Sequence, residues 1–325
     1  MESTRNRIIE LLAKNDKDYI SGQAISEQLN ISRNAVWKHM KELEKDDYII
    51  EGKPNKGYRI IEYPDKTSEN TVKWGLETSW LAQSIIHKET TPSTQILAHQ
   101  AAQDNAAHGT VVISDEQTSG RGRLNRDWHS AKNDGIWMSI VLRPEILPQQ
   151  APQLTLLTAT VLADVLTEQV KLKSSIKWPN DILIGQKKTA GILTEMQAEQ
   201  DQIQYVVIGI GMNINQTVDQ LPDDIKKRAT SLHIETGETW SVRKLIQHIL
   251  VKFEQVYDDY MENGFAEVKE KWESYGFKLG EKIQIKTFKE EWESEFLGVA
   301  DDGALLTRTS KGETTKIYSA EIGWF

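Results

Sequence analysis

The chain has 325 residues, of which 38% are apolar and 27% are charged, a balance typical of soluble globular proteins with two or three domains. It contains no cysteine, which excludes disulfides, thiolate metal sites and a cysteine nucleophile. Because no apolar run is long enough to span a bilayer and the first residues lack the apolar core of a signal peptide, we expect a cytoplasmic protein with no membrane partner.

The formal net charge is −9, but it is spread unevenly along the chain. Residues 1–60 hold 11 Lys and Arg against 10 Asp and Glu, a balance of +1, whereas the rest of the chain holds 28 against 38, a balance of −10. An acidic protein can still bind DNA when its basic groups gather on one face. The first sixty residues are therefore the part of the chain where we expect such a face.

The same sixty residues have the pattern of a helix-turn-helix. Apolar residues recur at helical spacing over 8–12, and a second short helix is predicted over 23–29. After a tight turn, Ser32 is the predicted N-cap of a helix that turns its apolar residues inward and its polar and basic residues outward. A β-hairpin around 52–56 would complete a winged helix. We expect the outward residues to bind DNA, with a small helical packing domain as the alternative and Trp37 equally suited to a core: Ser32, Arg33, Asn34, Trp37, Lys38 and Lys41.

The middle of the chain mixes strands and helices without strict alternation. A polar, turn-rich segment at 64–70 predicts a linker before it. The mixture favours an α+β domain with a mixed sheet over a doubly wound one. The predicted elements are a helix at 95–103, strands at 110–114 and 136–142, an apolar helix at 154–170, strands within 176–184, at 189–195 and at 205–210, and a helix at 242–260. Short strands at 279–285, 296–300, 303–307 and 316–322 predict a small C-terminal β-barrel.

The most informative loop is Gly120-Arg121-Gly122-Arg123, followed by Arg126. Glycines let backbone N–H groups approach a ligand closely, and arginines supply permanent charge and forked donors for carboxylate and phosphate. The loop therefore predicts a site for a small anion, with a flexible, solvated basic loop as the alternative. No Walker A motif, HExxH cluster or serine elbow is present, so the predicted chemistry is positioning and charge neutralisation, with Lys187 or Lys188 as further cations.

These motifs together resemble the bifunctional bacterial biotin–protein ligases that also repress the biotin operon, and the resemblance covers essentially the whole chain. It rests on the winged helix, Ser93-Thr94 before a helix, the loop at 120–123, Lys177-Trp178-Pro179-Asn180-Asp181, Lys188 with 190–193, and 209–213. It implies a winged helix-turn-helix at 1–64, a class II synthetase-like catalytic domain at 65–276 and an SH3-like domain at 277–325. A ligand-sensing repressor without ligase activity and a lipoate–protein ligase are the alternatives.

The resemblance also implies a two-step reaction. The carboxylate of biotin attacks the α-phosphate of ATP to give biotinyl-5′-AMP, with Mg²⁺ on the phosphates. A lysine of the biotin carboxyl carrier domain of acetyl-CoA carboxylase or pyruvate carboxylase then takes the biotinyl group. The implied regulatory partners are the operator DNA of the biotin genes and a second copy of the chain, in a homodimer that the adenylate favours.

Each matched position carries an implied role, and the implied catalytic residues are Lys188, Arg121, Arg123 and Asp181. Asp181 would contact Mg²⁺ or steer the target lysine, unless it only forms a turn. Lys188, or its neighbour Lys187, would lie between the biotin carboxylate and the phosphate. Pro92 departs from the family pattern, in which an acidic residue often precedes Ser-Thr. The implied ligand-binding positions are Ser93, Thr94 and Gln117 at the ureido ring, Gly120, Arg121 and Gly191 along the pocket, Arg123 and Arg126 at the phosphates, Trp128 near the adenosine unless it is a core residue, Asn213 at the adenine side, and Gly122 and Gly209 as further ligand-binding residues.

Overall fold

The computed structural model describes residues 4–15, 18–287 and 290–323, except for the side chains of Asn6, Asn125 and Glu321. The chain divides into two compact units, Met1–Leu76 and Glu77–Phe325. Within the described residues, no helix has both the length and the apolar character needed to cross a membrane.

The first unit is the predicted winged helix-turn-helix. Its helices are α1 (Thr4–Ala13), α2 (Gly22–Leu29) and α3 (Arg33–Lys45), and its antiparallel hairpin is β1 (Ile49–Lys53) with β2 (Gly57–Glu62). Serine hydroxyls cap α2 and α3 by accepting the N–H groups of Ala24 at 3.0 Å and Ala35 at 3.1 Å. The apolar residues of the predicted helices are buried together, among them Ile8, Leu12, Ile25, Val36, Met40 and Leu43.

The segment predicted as a linker leads directly into a further helix of the first unit, α4 (Glu69–Lys73). Tyr63 and Val72 are buried, and the ring of Trp74 stacks on Tyr63 with the centroids 4.1 Å apart. Apolar packing therefore carries the first unit to Leu76. The domain boundaries at 64/65 and 276/277 stay predictions.

The second unit contains a seven-stranded mixed sheet with the strand order β3-β4-β5-β9-β8-β7-β6. The pair β3–β4 is parallel, and all other neighbours are antiparallel. The strands are β3 (Ile85–Thr91), β4 (Thr110–Gln117), β5 (Gly135–Leu142), β6 (Ser174–Lys177), β7 (Asp181–Ile184), β8 (Lys187–Glu199) and β9 (Gln202–Asn213). The helices of this unit are α5 (Thr94–Gln103), α6 (Ala151–Val165), α7 (Leu232–Thr236), α8 (Val242–Asn263) and α9 (Ala266–Tyr275).

The helix predicted to end at residue 170 does end there, but its geometry changes over its last turn. Residues 166–170 form a π-helical turn after α6, and Lys171 ends it in the left-handed conformation with φ of 60°. Leu166 and Val170 are buried, so the apolar pattern continues through the change of geometry. Hydrophobic spacing therefore marked the end of the helix but not the change from α-helical to π-helical geometry.

The C-terminal part of the second unit is the predicted small β domain. Its strands are β10 (Lys282–Lys286), β11 (Glu291–Val299), β12 (Leu305–Arg308), β13 (Thr314–Ile317) and β14 (Glu321–Gly323), in the antiparallel order β13-β12-β11-β10-β14. The single strand predicted at 316–322 is wrong. The chain forms two strands there because β13 pairs with β12 at one edge and β14 pairs with β10 at the other.

Candidate functional site

A cavity of about 880 Å³ in the second unit brings together the motifs that lie far apart in the sequence. Its wall comes from the Gly/Arg loop, the start of α5, the segment 177–181 and the strands β8 and β9. Lys188 lines it, whereas Lys187 is exposed and is not among the lining residues. The other predicted residues that line it are Ser93, Thr94, Gln117, Arg121, Gly122, Arg123, Arg126, Trp128, Asp181, Gly191, Gly209 and Asn213.

Gly120 is the predicted pocket residue that lies behind this wall. It is buried, and a Cβ atom there would lie 2.5 Å from the carbonyl oxygen of Trp128 and 2.8 Å from Oγ of Ser130. Its own carbonyl accepts the N–H of Trp128 at 2.9 Å. A glycine is thus required here for close packing of the two ends of the loop.

The loop is closed on itself as a small hairpin. The N–H of Gly122 donates to the carbonyl of Arg126 at 2.8 Å, and Arg121 pairs with Asp127 as an isolated antiparallel bridge. At the tip, Leu124 takes the left-handed conformation and is 79% exposed. The backbone therefore holds the arginines on one short, defined turn.

Arg123 is the arginine that this turn directs into the cavity wall. Its Nη1 donates to Oδ1 of Asn180 at 3.3 Å, and the amide of Asn180 donates to the carbonyl of Ile192 at 2.8 Å. Burial lowers the pKa of Arg123, and the charge of Asp181 opposes that effect. An arginine stays protonated under such shifts, so the group supplies a fixed positive charge close to Asp181.

Trp128 packs over bare backbone on the two central strands. A Cβ atom at Gly211 would lie 2.6 Å from Cε2 and Nε1 of the indole, and one at Gly191 would lie 3.1 Å from its Cζ3. The ammonium of Lys188 lies 5.0 Å from the ring centroid, within the range of a cation–π contact. The glycines of β8 and β9 therefore make room for an aromatic wall beside the lysine.

Lys188 and Asp181 form an ion pair inside the cavity, with 2.7 Å between Nζ and Oδ1. Both side chains are only partly buried, at 32% and 25% exposed, so solvent and an incoming ligand can reach them. Asp181 begins β7 directly after the turn of the Trp178-Pro179-Asn180 segment, and Lys188 lies on the neighbouring strand β8. The hairpin between these strands places the two charges together.

In contrast to the charged groups around Lys188, the side chains at the start of α5 are neutral and form hydrogen bonds. Oε1 of Gln117 accepts hydrogen bonds from the backbone N–H of Thr94 at 2.8 Å and from its hydroxyl at 3.1 Å. Ser93 caps the helix, and the carbonyl of Pro92 accepts the N–H of Ser119 at 2.9 Å. The backbone at Pro92 is thus tied to the loop that follows Gln117.

Several lining residues had no motif to reveal them. Asp224 and Arg228 come from the segment after β9, and Phe277, Lys278, Ala320 and Ile322 come from the C-terminal part of the unit. The short basic run Lys226-Lys227-Arg228 was the available signal for the first group. Long-range folding alone brings the second group to the cavity.

The donor set for a cation is sparse. Within the described residues, no group of three or more His, Cys, Asp or Glu side chains could hold a metal ion. The carboxylates among the described lining residues are Asp127, Asp181 and Asp224. Such a wall suits a metal ion that arrives on phosphate oxygens and touches one protein carboxylate, which is the usual mode for Mg²⁺.

In the first unit, the residues predicted to bind DNA lie on the outer surface of α3. Trp37 is 55% exposed and so is not a core residue. The inward face of the same helix is formed by Val36, Met40 and Leu43. The exposed residues are Ser32, Arg33, Asn34, Trp37, Lys38 and Lys41.

Comparisons with known proteins give a match to a family model within each of the two units. A model of the biotin/lipoate A/B protein ligase family matches residues 87–213, and a model of an HTH domain matches residues 4–59. Proteins named bifunctional ligase/repressor BirA, from Bacillus spizizenii and Bacillus subtilis, are each 47% identical over 323 residues, covering 99% of this chain and 99% of theirs. The Escherichia coli protein of that name is 25% identical over 92% of this chain and 91% of its own.

A solved structure described as biotin protein ligase from Aquifex aeolicus in complex with biotin and ATP is also similar, with a TM-score of 0.65 and 31% identity. The match covers 74% of this chain and 98% of that one. With full-length identity of 47% to the Bacillus proteins and both family models matched in order, the chain is a member of the biotin/lipoate A/B protein ligase family, in the branch of the bifunctional ligase/repressors.

Proposed function

We propose that this chain ligates biotin to a lysine of biotin carboxyl carrier domains by way of biotinyl-5′-AMP, and represses biotin genes through its helix-turn-helix. The observation that carries the proposal is the cavity that combines a neutral hydrogen-bonding end with a cationic end. Thr94 and Gln117 suit a polar ring without charge, while Lys188 and Arg123 suit a carboxylate beside phosphates. A site for biotin alone would need a partner for one carboxylate but no arginines for phosphates.

In the first step, a carboxylate oxygen of biotin attacks the α-phosphorus of ATP, and the bond from that phosphorus to the pyrophosphate oxygen breaks. Two anions must meet, so cations have to offset their repulsion and the charge that develops in the transition state. Lys188 is proposed to leave Asp181 for the reacting oxygens, with Arg123 and Arg126 on the phosphates and the loop at Arg121 closed over them.

Mg²⁺ is proposed as the cofactor of this step, because one partly exposed carboxylate at Asp181 fits a metal carried by phosphates. When bound, the ion would neutralise charge on the phosphate oxygens. Once Lys188 has moved to the substrate, Asp181 is free to contact the ion. Ser93, Gly191 and Gly209 would border the biotin, Trp128 the adenosine, and Asn213 the far wall.

In the second step, the amine of the carrier lysine attacks the carbonyl carbon of the biotinyl group and AMP leaves. The ammonium of the carrier lysine must first give up a proton to solvent, because only the neutral amine is a nucleophile. Asp181 is proposed to attract the incoming ammonium toward the cavity. The carrier domains of acetyl-CoA carboxylase and pyruvate carboxylase are the proposed protein substrates, and the proposed setting is the cytoplasm.

For repression, the proposed DNA-binding surface is the exposed face of α3 together with the hairpin of β1 and β2. A second copy of the chain is proposed to join when the adenylate is bound, so that two such helices contact a palindromic operator. Linkage then requires that the adenylate bind the dimer-competent state more tightly.

A mass spectrum of a biotin carrier domain incubated with the protein, biotin, ATP and Mg²⁺ tests the ligase. We expect a gain of one biotinyl group that needs ATP and that is absent when the carrier lysine is replaced by arginine. Biotin binding without a mass gain would instead support a ligand-sensing repressor. No biotin binding, with lipoate transferred in its place, would support a lipoate–protein ligase.

A further inference from the structure

A chain of buried polar side chains lines the neutral end of the cavity, and the proposed function gives no role to two of its members, Gln95 and Ser139. Nε2 of Gln95 lies near three acceptors: Oε2 of Glu195 at 2.9 Å and the carbonyls of Val207 at 3.2 Å and Leu193 at 3.4 Å. Gln95 is only 5% exposed. Three acceptors around one atom require it to be the donating NH₂ group, which fixes the carboxamide in one orientation.

That orientation determines what Ser139 can do. With its nitrogen held by the three acceptors, Gln95 directs Oε1 toward the hydroxyl of Ser139, which donates to it at 3.1 Å. A Cβ atom at Gly209 would lie 2.5 Å from this Oε1, so the glycine leaves the space that the carboxamide occupies. Ser139 is fully buried and has one proton, so its oxygen can only accept from other neighbours.

Thr94 is the neighbour that depends on this arrangement. Its hydroxyl lies 2.9 Å from Oγ of Ser139 and 3.1 Å from Oε1 of Gln117, and both of these atoms are acceptors. Gln117 is fixed as well, because its Oε1 accepts the backbone N–H of Thr94 and its Nε2 donates to Ser130 at 2.8 Å. The proton of Thr94 is therefore directed into the protein, and the lone pairs of its hydroxyl oxygen are left to accept from the ligand.

We propose that Gln95 and Ser139 are specificity-determining positioning residues that hold the hydroxyl of Thr94 as a hydrogen-bond acceptor, so that the cavity selects a ligand ring carrying an N–H donor. This inference rests on the proposed function, since it takes the ureido ring of biotin to lie at Thr94. A ring that presents only acceptors would face an unpaired lone pair there, and buried groups left unpaired reject a ligand strongly.

Calorimetric binding of biotin and of two cyclic carbamates, each with one ureido N–H replaced by oxygen, tests the proposal on the full chain. We expect the wild type to bind at least one carbamate about a hundredfold more weakly than biotin. Gln95→Met and Ser139→Ala should reduce that ratio to about tenfold or less, because the longer bond to Oε1 of Gln117, at 3.1 Å, is then the one contact that holds the proton of Thr94 away from the ligand. Ser139→Ala removes one hydroxyl, so it provides the test if Gln95→Met does not fold.

Thr194→Val is the matched control. Thr194 lies next to Glu195 on β8, and its hydroxyl accepts a hydrogen bond from Thr155 at 2.8 Å. Because Thr194 does not line the cavity, this variant should keep the wild-type ratio of carbamate to biotin affinity. Equal weakening of biotin and carbamate in both variants would mean a merely structural role and would overturn the proposal. A wild type that binds biotin and both carbamates equally well would also overturn the proposal. A wild type that binds neither biotin nor a carbamate would overturn the proposed function as well.

Discussion

Lys188 has two contacts that keep its ammonium in the cavity before any substrate arrives. Asp181 pairs with it at 2.7 Å, and the face of Trp128 lies 5.0 Å away. An ammonium on a flexible stem acts as a movable point charge, so it can change partners without rearrangement of the backbone. This explains why a lysine suits the position where charge develops, while fixed arginines suit the phosphates.

Replacing Lys188 with alanine should therefore slow adenylate formation by about two to three orders of magnitude, the cost of removing one group that stabilises developing charge. Release of pyrophosphate from ATP in the presence of biotin measures this step. Lys187→Ala is the control, because the neighbouring side chain is exposed and lies outside the lining residues. Near-normal pyrophosphate release by Lys188→Ala would remove the residue from its assigned role.

At the same scale, the site was predictable where its chemistry is local in the sequence. An anion site is predicted by residue type and spacing in two places, the glycines and arginines at 120–123 and the charged ends of the segment 177–188. Lys278 carries equal charge but lies in a segment without such a pattern, and only the fold brings it to the cavity, while the basic run that ends at Arg228 indicates charge without indicating a ligand. Gln95 and Ser139 could not be predicted as site residues, because a buried amide in a helix and a serine in a strand have no distinctive spacing in the sequence.

Among the elements, α8 has one side chain that fixes a distant backbone segment. The buried carboxylate of Glu254 accepts the backbone N–H groups of Ser79 at 2.6 Å, Trp80 at 3.0 Å and Leu81 at 2.7 Å. Bonds to a charged acceptor are stronger than those between neutral groups. The carboxylate therefore anchors residues 79–81 to α8 within the second unit.

Glu254→Gln should lower the free energy of unfolding of the second unit by about 2–4 kcal/mol, because an amide offers one acceptor oxygen to three backbone donors, of which that of Leu81 is buried. Urea denaturation followed by tryptophan fluorescence measures the change. Glu262→Gln makes the same substitution at an exposed position of α8 and should have little effect. Equal stability of the two variants would contradict the anchoring role.

The hairpin of the first unit has a carboxylate at its centre. The pKa of Glu51 is lowered from its ordinary 4.5 to about 2. The largest cause is a hydrogen bond from Tyr19, and the second is a hydrogen bond from Lys53. Arg59 also pairs with Glu51 at 3.1 Å. A group whose pKa is lowered by folding stabilises the folded state above its unfolded pKa, and that contribution is lost as the pH falls through the folded value.

Glu51→Gln should therefore weaken the hairpin relative to wild type at pH 7, and the difference should disappear as the pH falls from 4.5 to about 2. Amide hydrogen exchange of peptides covering β1 and β2, corrected for intrinsic rates, measures it. The effect is small, because the group is at the surface and solvent screens it. Glu62→Gln on β2 is the control, and a pH-independent difference between wild type and Glu51→Gln would contradict the argument.

Elements with strong apolar periodicity were predictable, and those defined by tertiary pairing were not. After Ile85 and Ile86, β3 continues with polar residues, and it forms a strand because it pairs with β4. In α9 only Val268 and Trp272 are buried within a charged sequence. The break between β13 and β14 likewise depends on which strand each one meets, which no local pattern contains.

For the whole molecule, the two units should carry activities that can be separated by single substitutions. Lys38→Ala on α3 should weaken operator binding across sequences and reduce the slope of log K against log salt by about one, as expected for one phosphate contact. Ligation of biotin to the carrier domain should be unchanged. A gel shift at several salt concentrations measures the first effect, and Lys45→Ala at the end of the same helix is the charge-matched control.

The proposed homodimer couples these activities, because a ligand can shift an association equilibrium only by its differential affinity for the two states. Biotin with ATP should therefore lower the dissociation constant of the dimer of this 37.0 kDa chain about tenfold or more, measured by sedimentation velocity over a concentration series. Lys188→Ala should lose the shift if it forms no adenylate, and added biotinyl-5′-AMP should restore it. An equal dissociation constant with and without adenylate in the wild type would mean that occupancy of the cavity reaches the operator by another route.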